Sequence, residues 1–264
     1  MISIENLRVT FGKGTPLENK ALRGLSLTVP KGQFVTVIGS NGAGKSTFLN
    51  ALSGETAVDS GRIIIADQSV TNLPTHKRAH LVSRVFQDPL AGTCENLTIE
   101  ENLALAIKRG KRRGLGPANK KQYLEFFRDQ LRYLNLGLEQ RLQDKMGLLS
   151  GGQRQAISLL MATLKPSEIL LLDEHTAALD PKTAKFVLDL TEAIIEQHQL
   201  TAIMVTHSMR QALDVGSRTV MLHEGKVAFD ISNPDREGLE VPDLLDLFEQ
   251  KRGEALADDG LLLS

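Results

Sequence analysis

The sequence predicts an α/β protein: a three-layer core with a helical region set into it. Three observations point there. The apolar run Phe34–Ile38 leads into a glycine-rich loop and then a helix. After Pro166 the chain alternates strand, helix and strand through residue 205, the order of a parallel sheet with crossover helices. Between these two stretches, from about 90 to 165, the pattern turns helical.

Taken in order, Ile2, Ile4, Leu7 and Val9 alternate with polar residues, a half-buried opening strand. Leu25–Val29 and Phe34–Ile38 flank Pro30-Lys31-Gly32, which predicts a hairpin turn. The helix after the glycine loop is expected to end near Gly54. Gly61–Ala66 and Val82–Phe86 are short strands, the second stopping at Gln87. Thr98 and Glu101 make a capping box. Tyr123, Phe127, Leu131 and Leu134 recur at helical spacing as core positions. Gly151–Leu164 is a helix stopped by Pro166, and Ile169–Leu172 is a fully apolar strand. Asp180-Pro181 opens a helix to about His198, with Asp180 as N-cap and Pro181 in the first helical position. Ala202–Val205 is the next strand, and Val220–Leu222 and Val227–Phe229 form a hairpin around Glu224-Gly225. Pro242 starts a short amphipathic helix carrying Leu244, Leu245, Leu247 and Phe248. The expected division is a main domain over 1–230, with the helical part at about 90–165, and an appendage over 231–264.

The 264 residues suffice for one large domain or two small ones, and 41% hydrophobic with 24% charged residues is a folded composition. Lys and Arg number 31 against 32 Asp and Glu, so no chain-wide basic field exists and a dedicated nucleic-acid binder is excluded. With no Trp and two Tyr, few platforms exist for stacking bases. No apolar run approaches the roughly 20 residues of a membrane span. Glu5 and Arg8 interrupt any signal-peptide core, and the single Cys94 suits a reducing compartment, so a cytosolic chain is expected. Lys108-Arg109-Gly110-Lys111-Arg112-Arg113 is expected to be a solvated end of the helical region rather than a nucleic-acid patch.

Gly39-Ser40-Asn41-Gly42-Ala43-Gly44-Lys45-Ser46 matches G-x-x-x-x-G-K-[ST] between a strand and a helix, the context in which backbone amides converge on phosphate oxygens. Lys45 would reach the β- and γ-phosphates and Ser46 would ligate Mg2+. Leu170-Leu171-Leu172-Asp173-Glu174 ends a buried strand in two carboxylates: Asp173 to hold Mg2+ through water, Glu174 to take a proton from an attacking water. Gln87 and His207 also follow strand ends, where ligands of open α/β sheets sit. Leu149-Ser150-Gly151-Gly152-Gln153 is a second helix start able to hold an anion, with Ser150 as N-cap. Two such starts with only one metal-and-base set suggest two copies facing head to tail.

In this order these motifs resemble the ATP-binding subunit of an ABC transporter, over residues 2 to about 230. The resemblance makes 39–46 the phosphate loop, Gln87 the Q-loop, 149–153 the signature, 169–174 the Walker B strand, Ala178-Leu179-Asp180 the D-loop and His207 the switch histidine. It implies the P-loop ABC ATPase fold: a mixed sheet core, an antiparallel β subdomain and an inserted helical subdomain. It implies ATP and Mg2+ as cofactors, Thr47 in the phosphate site, Gln87 beside Ser46 and Asp173 at the metal, and Phe11 stacking on adenine. It implies a homodimer around two ATP, with Ser150, Gly152 and Gln153 acting on the partner's nucleotide and with Gly151 and Asp180 also among the nucleotide-binding residues. Integral permease subunits would dock near Gln87 on the cytoplasmic face of the inner membrane, with a substrate-binding protein as an indirect partner. The family usually has Pro after the Walker B glutamate; here it is His175. Glu174-His175-Thr176-Ala177-Ala178-Leu179-Asp180 and the segment 88–96 are similar to one importer branch, whose members accompany a permease and a lipoprotein-type binding protein, some handling tryptophan or tyrosine. His175 is expected to be a neutral spacer, the alternative being titration near neutrality. The competing function is a soluble ATPase of the same family serving iron–sulfur assembly.

Overall fold

In the computed structural model, which describes residues 1–111 and 123–250, the chain runs β1 (Ile2–Phe11), β2 (Asn19–Val29), β3 (Phe34–Ile38), α1 (Lys45–Ser53), β4 (Ser60–Ile65), β5 (Gln68–Ser69), α2 (Thr75–Arg78), β6 (Val82–Val85) and α3 (Ile99–Ala106). It continues through α4 (Leu124–Tyr133), α5 (Gly151–Thr163), β7 (Ile169–Asp173), α6 (Pro181–His198), β8 (Ala202–Val205), α7 (Met209–Asp214), β9 (Arg218–His223) and β10 (Lys226–Ser232). Two units form: Met1–Leu73 with the chain from Thr201 onward, and Pro74–Leu200. Among the described residues no helix is long and apolar enough to cross a membrane.

In the first unit, β1 is an inner strand of an antiparallel sheet ordered β2-β1-β4-β5. Ile2, Ile4, Leu7 and Val9 are buried as their alternation requires. The hairpin expected across Pro30-Lys31-Gly32 does not form. β2 pairs antiparallel with β1, from Ile2↔Val29 to Phe11↔Asn19, whereas β3 lies in another sheet, parallel to both β8 and β9. The reason is burial: every residue of β3 is buried, which calls for neighbours on both sides, and β2 already has its partner. β10 closes this sheet antiparallel to β9 around the Glu224-Gly225 turn. The β4–β5 turn passes through Ala66 and Asp67, both at positive φ (50° and 62°), a tight hairpin without the usual Asn-Gly marker.

The last described segment packs into this unit. A helix over 241–250 sends Leu244 into a cluster with Ile38, Ala212, Met221 and Phe229, and Leu247 and Phe248 pack against it. Leu245, expected on the same apolar face, is exposed. It follows Leu244 by one position and so points about 100° away around the helix. Just before this helix, the guanidinium of Arg236 is buried and donates to the Thr219 hydroxyl (2.8 Å) and to the carbonyls of Ala212 (2.6 Å), Leu213 (2.8 Å), Val215 (2.6 Å) and Gly216 (2.8 Å). These carbonyls belong to the C-terminal end of α7 and the turn after it. The cation meets the negative end of the helix dipole there and satisfies carbonyls that have no acceptor role within the helix.

In the second unit β6 and β7 pair in parallel, Val82↔Ile169 through Val85↔Leu172. α3 starts at Thr98 with the full capping box. Phe127, Leu131 and Leu134 are buried together as their spacing requires. The basic run around 110 is only partly a solvated end. Arg109 donates to the carbonyls of Ala162 (2.8 Å) and Lys165 (3.0 Å), at and beyond the end of α5. Helix-end carbonyls bind a guanidinium strongly enough to draw it from solvent. Arg112 and Arg113 lie outside the described residues.

Replacing Arg236 by Met takes the guanidinium from the carbonyls of Leu213, Val215 and Gly216, while that of Ala212 keeps the Thr36 and Thr219 hydroxyls. An equilibrium urea titration of Arg236→Met is expected to show a loss of at least ~3 kcal/mol; an unchanged midpoint would show that the cluster does not hold α7.

Candidate functional site

The phosphate loop of the first unit is built by close backbone approaches. A Cβ on Gly39 would lie 2.3 Å from the Leu222 carbonyl oxygen, and one on Gly44 would lie 2.6 Å from that of Ala21. Both positions also have positive φ, 152° and 100°. The loop is thus clamped against β2 and β9, and the Gly225 amide donates to the Ala43 carbonyl (3.1 Å). Gly44 is the N-cap of α1 and provides no side-chain acceptor to the first turn, as a helix start that receives an anion requires. The Lys45 ammonium is buried and donates to the carbonyls of Gly39 (2.7 Å) and Ser40 (3.1 Å), so it is held over the loop interior. Ser40, Asn41, Gly42 and Ser46 are exposed along the same loop, and Thr47 is half-buried.

β3 and β8 pair in parallel up to Val37↔Val205. Gly39 and His207 each stand two positions past that last pair, so the parallel register brings the loop entrance and the histidine to one sheet end. His207 is exposed; behind it the Thr206 hydroxyl donates to Gln211 Oε1 (2.8 Å), and Ser208 caps α7 by accepting from the Gln211 amide (3.2 Å). α7 is a short helix that periodicity did not reveal. Phe11 ends β1 with 45% of its surface exposed, an aromatic face open to a ligand.

The second unit repeats the geometry. β6 and β7 pair up to Val85↔Leu172, and Gln87 and Glu174 each stand two positions beyond. Asp173 lies at the end of β7, where its Oδ2 accepts from Arg84 Nη2 at 2.5 Å, with both side chains largely buried (15% and 10% exposed). Arg84 also lies over the Phe86 ring, 4.7 Å from its centroid. Sequence reasoning missed this residue. The available signal was a lone cation inside an apolar strand, which demands a counter-charge. Gln155 on α5, buried, donates to the Phe86 carbonyl (3.1 Å) and fixes the chain just before Gln87. Beyond Gln87, a groove of about 430 Å³ is lined by Leu90, Thr93, Cys94, Glu95 and Asn96.

Glu174 itself has φ +46°, a left-handed backbone on a residue that is not glycine. His175 is almost wholly buried, and its Nε2 lies 3.0 Å from the Thr191 hydroxyl on α6. That hydroxyl gives its only proton to the Val187 carbonyl (2.7 Å). Its oxygen is therefore the acceptor, and Nε2 carries the hydrogen. Burial lowers the His175 pKa to about 4. The side chain is neutral near pH 7 but is an anchor rather than a spacer, and the alternative of titration near neutrality fails because the ring is desolvated.

The Ser150 segment forms a capping box: Ser150 Oγ accepts from the Gln153 amide (3.3 Å), and Gln153 Oε1 accepts from the Ser150 amide (3.2 Å). Gly151 and Gly152 provide the other first-turn amides of α5. Gly152 is also a packing residue, since a Cβ there would meet Thr183 Cγ2 at 2.1 Å. Asp180 caps α6, its Oδ1 accepting from the Thr183 amide (3.1 Å). The Thr183 side chain, then its backbone amide, hold the Asp180 carboxyl below the usual carboxylate range.

The donors proposed for a metal, Ser46, Gln87 and Asp173, are all oxygen, and Asp173 keeps Oδ1 beside the oxygen engaged by Arg84. Among the described residues no group of three or more His, Cys, Asp or Glu could hold a metal ion. Oxygen donors of this kind, a carboxylate, an amide and a hydroxyl, are the type that Mg2+ takes, few of them from protein and the rest from waters and substrate phosphates; Gln87 and Asp173 belong to the second unit and Ser46 to the first.

A family model described as "ABC transporter" matches residues 22–177. The chain is 44% identical over 253 residues to a tyrosine transport ATP-binding protein of Clostridioides difficile (strain R20291), covering 94% of this chain and 99% of that one. It is 32% identical over 204 residues to a thiamine import ATP-binding protein of Escherichia coli (strain UTI89 / UPEC), covering 77% and 83%. Among solved structures it resembles a dimeric ATP-binding cassette in a post-hydrolysis state bound to ADP and Pi. The TM-score is 0.75 at 27% identity, over 88% of this chain and 98% of that one.

Because His175 is held neutral, the folded chain binds fewer protons than the unfolded chain between pH 6.5 and about 4. Its contribution to stability is complete above pH 6.5 and is lost as pH falls toward about 4, by about 3 kcal/mol in all. Urea titrations from about pH 7 down to about pH 4.5 are expected to show this slope, and His175→Gln to flatten it.

Proposed function

The chain belongs to the ABC transporter family, and from that membership we propose that it is the ATP-hydrolysing subunit of a bacterial importer. The chemistry is ATP hydrolysis. The phosphate loop 39–46 cradles the phosphates, Lys45 neutralises the β- and γ-oxygens, Thr47 in the first turn of α1 belongs to the same phosphate site, and Phe11 stacks on the adenine ring. Ser46, Gln87 and Asp173 hold Mg2+, which when bound neutralises phosphate charge. Glu174 accepts a proton as water attacks the γ-phosphorus, the bond to the β-phosphate oxygen breaks, and ADP and phosphate result. His207, past the end of β8, donates toward the γ-phosphate. The observation that carries this reading is the repeated geometry. Two parallel strand pairs each send their chemistry-bearing residues two positions beyond the last register pair.

Within one copy, Ser150, Gly151, Gly152, Gln153 and Asp180 have no nucleotide role that their own unit's base and metal set requires. In the proposal they complete the site of a second copy placed head to tail, so ATP closes the dimer and hydrolysis reopens it. The groove beyond Gln87 receives a segment of an integral permease subunit. The assembly sits on the cytoplasmic face of the inner membrane, and an extracytoplasmic binding protein delivers the substrate. The transport names of the relatives favour this over a soluble subunit for iron–sulfur assembly. Tyrosine or a related aromatic amino acid is the proposed substrate class, supported by the relative that matches over nearly its whole length.

Glu174→Gln is expected to slow turnover by ~10²–10⁴ while leaving ATP binding intact, as steady-state hydrolysis and nucleotide titration will show; wild-type turnover would remove Glu174 as the base. Lys45→Ala is expected to weaken ATP binding by ~10- to 100-fold in the same titration.

A further inference from the structure

Several contacts fasten the turn that carries Glu174. Asp173 before it is bound to Arg84 on the neighbouring strand. Asp180 after it caps α6. Between them the Ala177 amide donates to the Glu174 carbonyl (2.9 Å), and the His175 ring enters the surface of α6 to reach Thr191. The first two anchors fix where the turn begins and ends. They do not fix the backbone rotation at residue 174, whose φ of +46° is a conformation that a residue with a Cβ adopts only under constraint.

We infer that His175 is a positioning residue for Glu174, holding its backbone in the left-handed region by donating Nε2–H to Thr191 on α6. The two side chains alternate along the turn. With the ring of residue 175 drawn into α6, residue 174 is turned out of the core, where its side chain remains half-exposed. Thr191 is suited to the task because its own proton is committed to Val187, which leaves a fixed, oriented acceptor with no exposure to solvent. A histidine donor and a threonine acceptor one helix away make the coupling directional, which apolar packing at the same position would not. The inference rests on Glu174 acting as the base.

The test is made on the full chain with Thr191→Val, which keeps the shape and removes the acceptor, and Thr191→Ser, which keeps the acceptor. Each is read as kcat at saturating ATP, Kd for ATP, and Tm, alone and combined with Glu174→Gln. Thr191→Val is expected to lower kcat ~10-fold or more at unchanged Kd, because a displaced base is ineffective. Thr191→Ser is expected to stay within about two-fold of wild type. In the Glu174→Gln background Thr191→Val is expected to cause no further loss, because the group it positions is gone. Thr191→Ala loses the same acceptor and is read identically if the valine variant does not fold. A lower Tm with unchanged kcat overturns the inference, as does an equal loss of kcat with and without the Glu174 carboxylate. Wild-type turnover in Glu174→Gln alone would instead remove the base assignment, and this inference with it.

Discussion

Parallel register is the constraint on which the chemistry of this chain hangs. In an antiparallel pair, residues just past one strand's end lie beside the start of its neighbour. In a parallel pair both chains leave the sheet at the same edge. β3 with β8 brings Gly39 and His207 to one edge. β6 with β7 does the same for Gln87 and Glu174, with Asp173 immediately before. The apolar strands thereby act as rulers. Each delivers a polar residue at a set distance past its last hydrogen-bonded pair, and loops of different length and composition then carry the chain away.

Gly39 and Glu174 adopt backbone conformations that strands do not, and the chain meets this in two ways. In the phosphate loop the answer is glycine. Gly39 and Gly44 press against carbonyls of Leu222 and Ala21 where a side chain has no room, and nothing is lost because the loop works through its backbone. At 174 a glycine would relieve the strain but remove the carboxylate. The positive φ is instead carried by a glutamate, in a turn bounded by the ion pair before it and the cap after it, and we infer that the buried histidine beside it holds it there. Strain of this kind is stored where chemistry needs a side chain in an unusual direction.

Several residues serve structure and chemistry together. Ser150 and Gln153 complete each other's hydrogen bonds as a capping box. Gly152 lets α5 approach Thr183, and Asp180 closes the start of α6. A helix start with a well-built cap presents its remaining amides in a fixed direction, which is also what an anion site needs. Stability and recognition are therefore not competing uses of these positions.

The motifs and the elements they join are legible along the chain. The glycine loop after an apolar strand, the acidic pair after another, the Thr98 capping box, the Ser150 cap and the Asp-Pro helix start are all local in sequence, and local spacing dictates them. Tertiary structure alone decided which strands pair. The expected hairpin between residues 29 and 34 gave way because β2 and β3 bury different faces against different partners, which no turn signal records. It alone placed Arg84 on Asp173, Gln155 on the Phe86 carbonyl, Arg236 on the end of α7 and His175 on Thr191. In each case a polar group is buried far along the chain from its partner, and the need for a hydrogen bond can be read from its burial but not from its position. A sequence shows which groups cannot remain unsatisfied; only the packed chain shows what satisfies them.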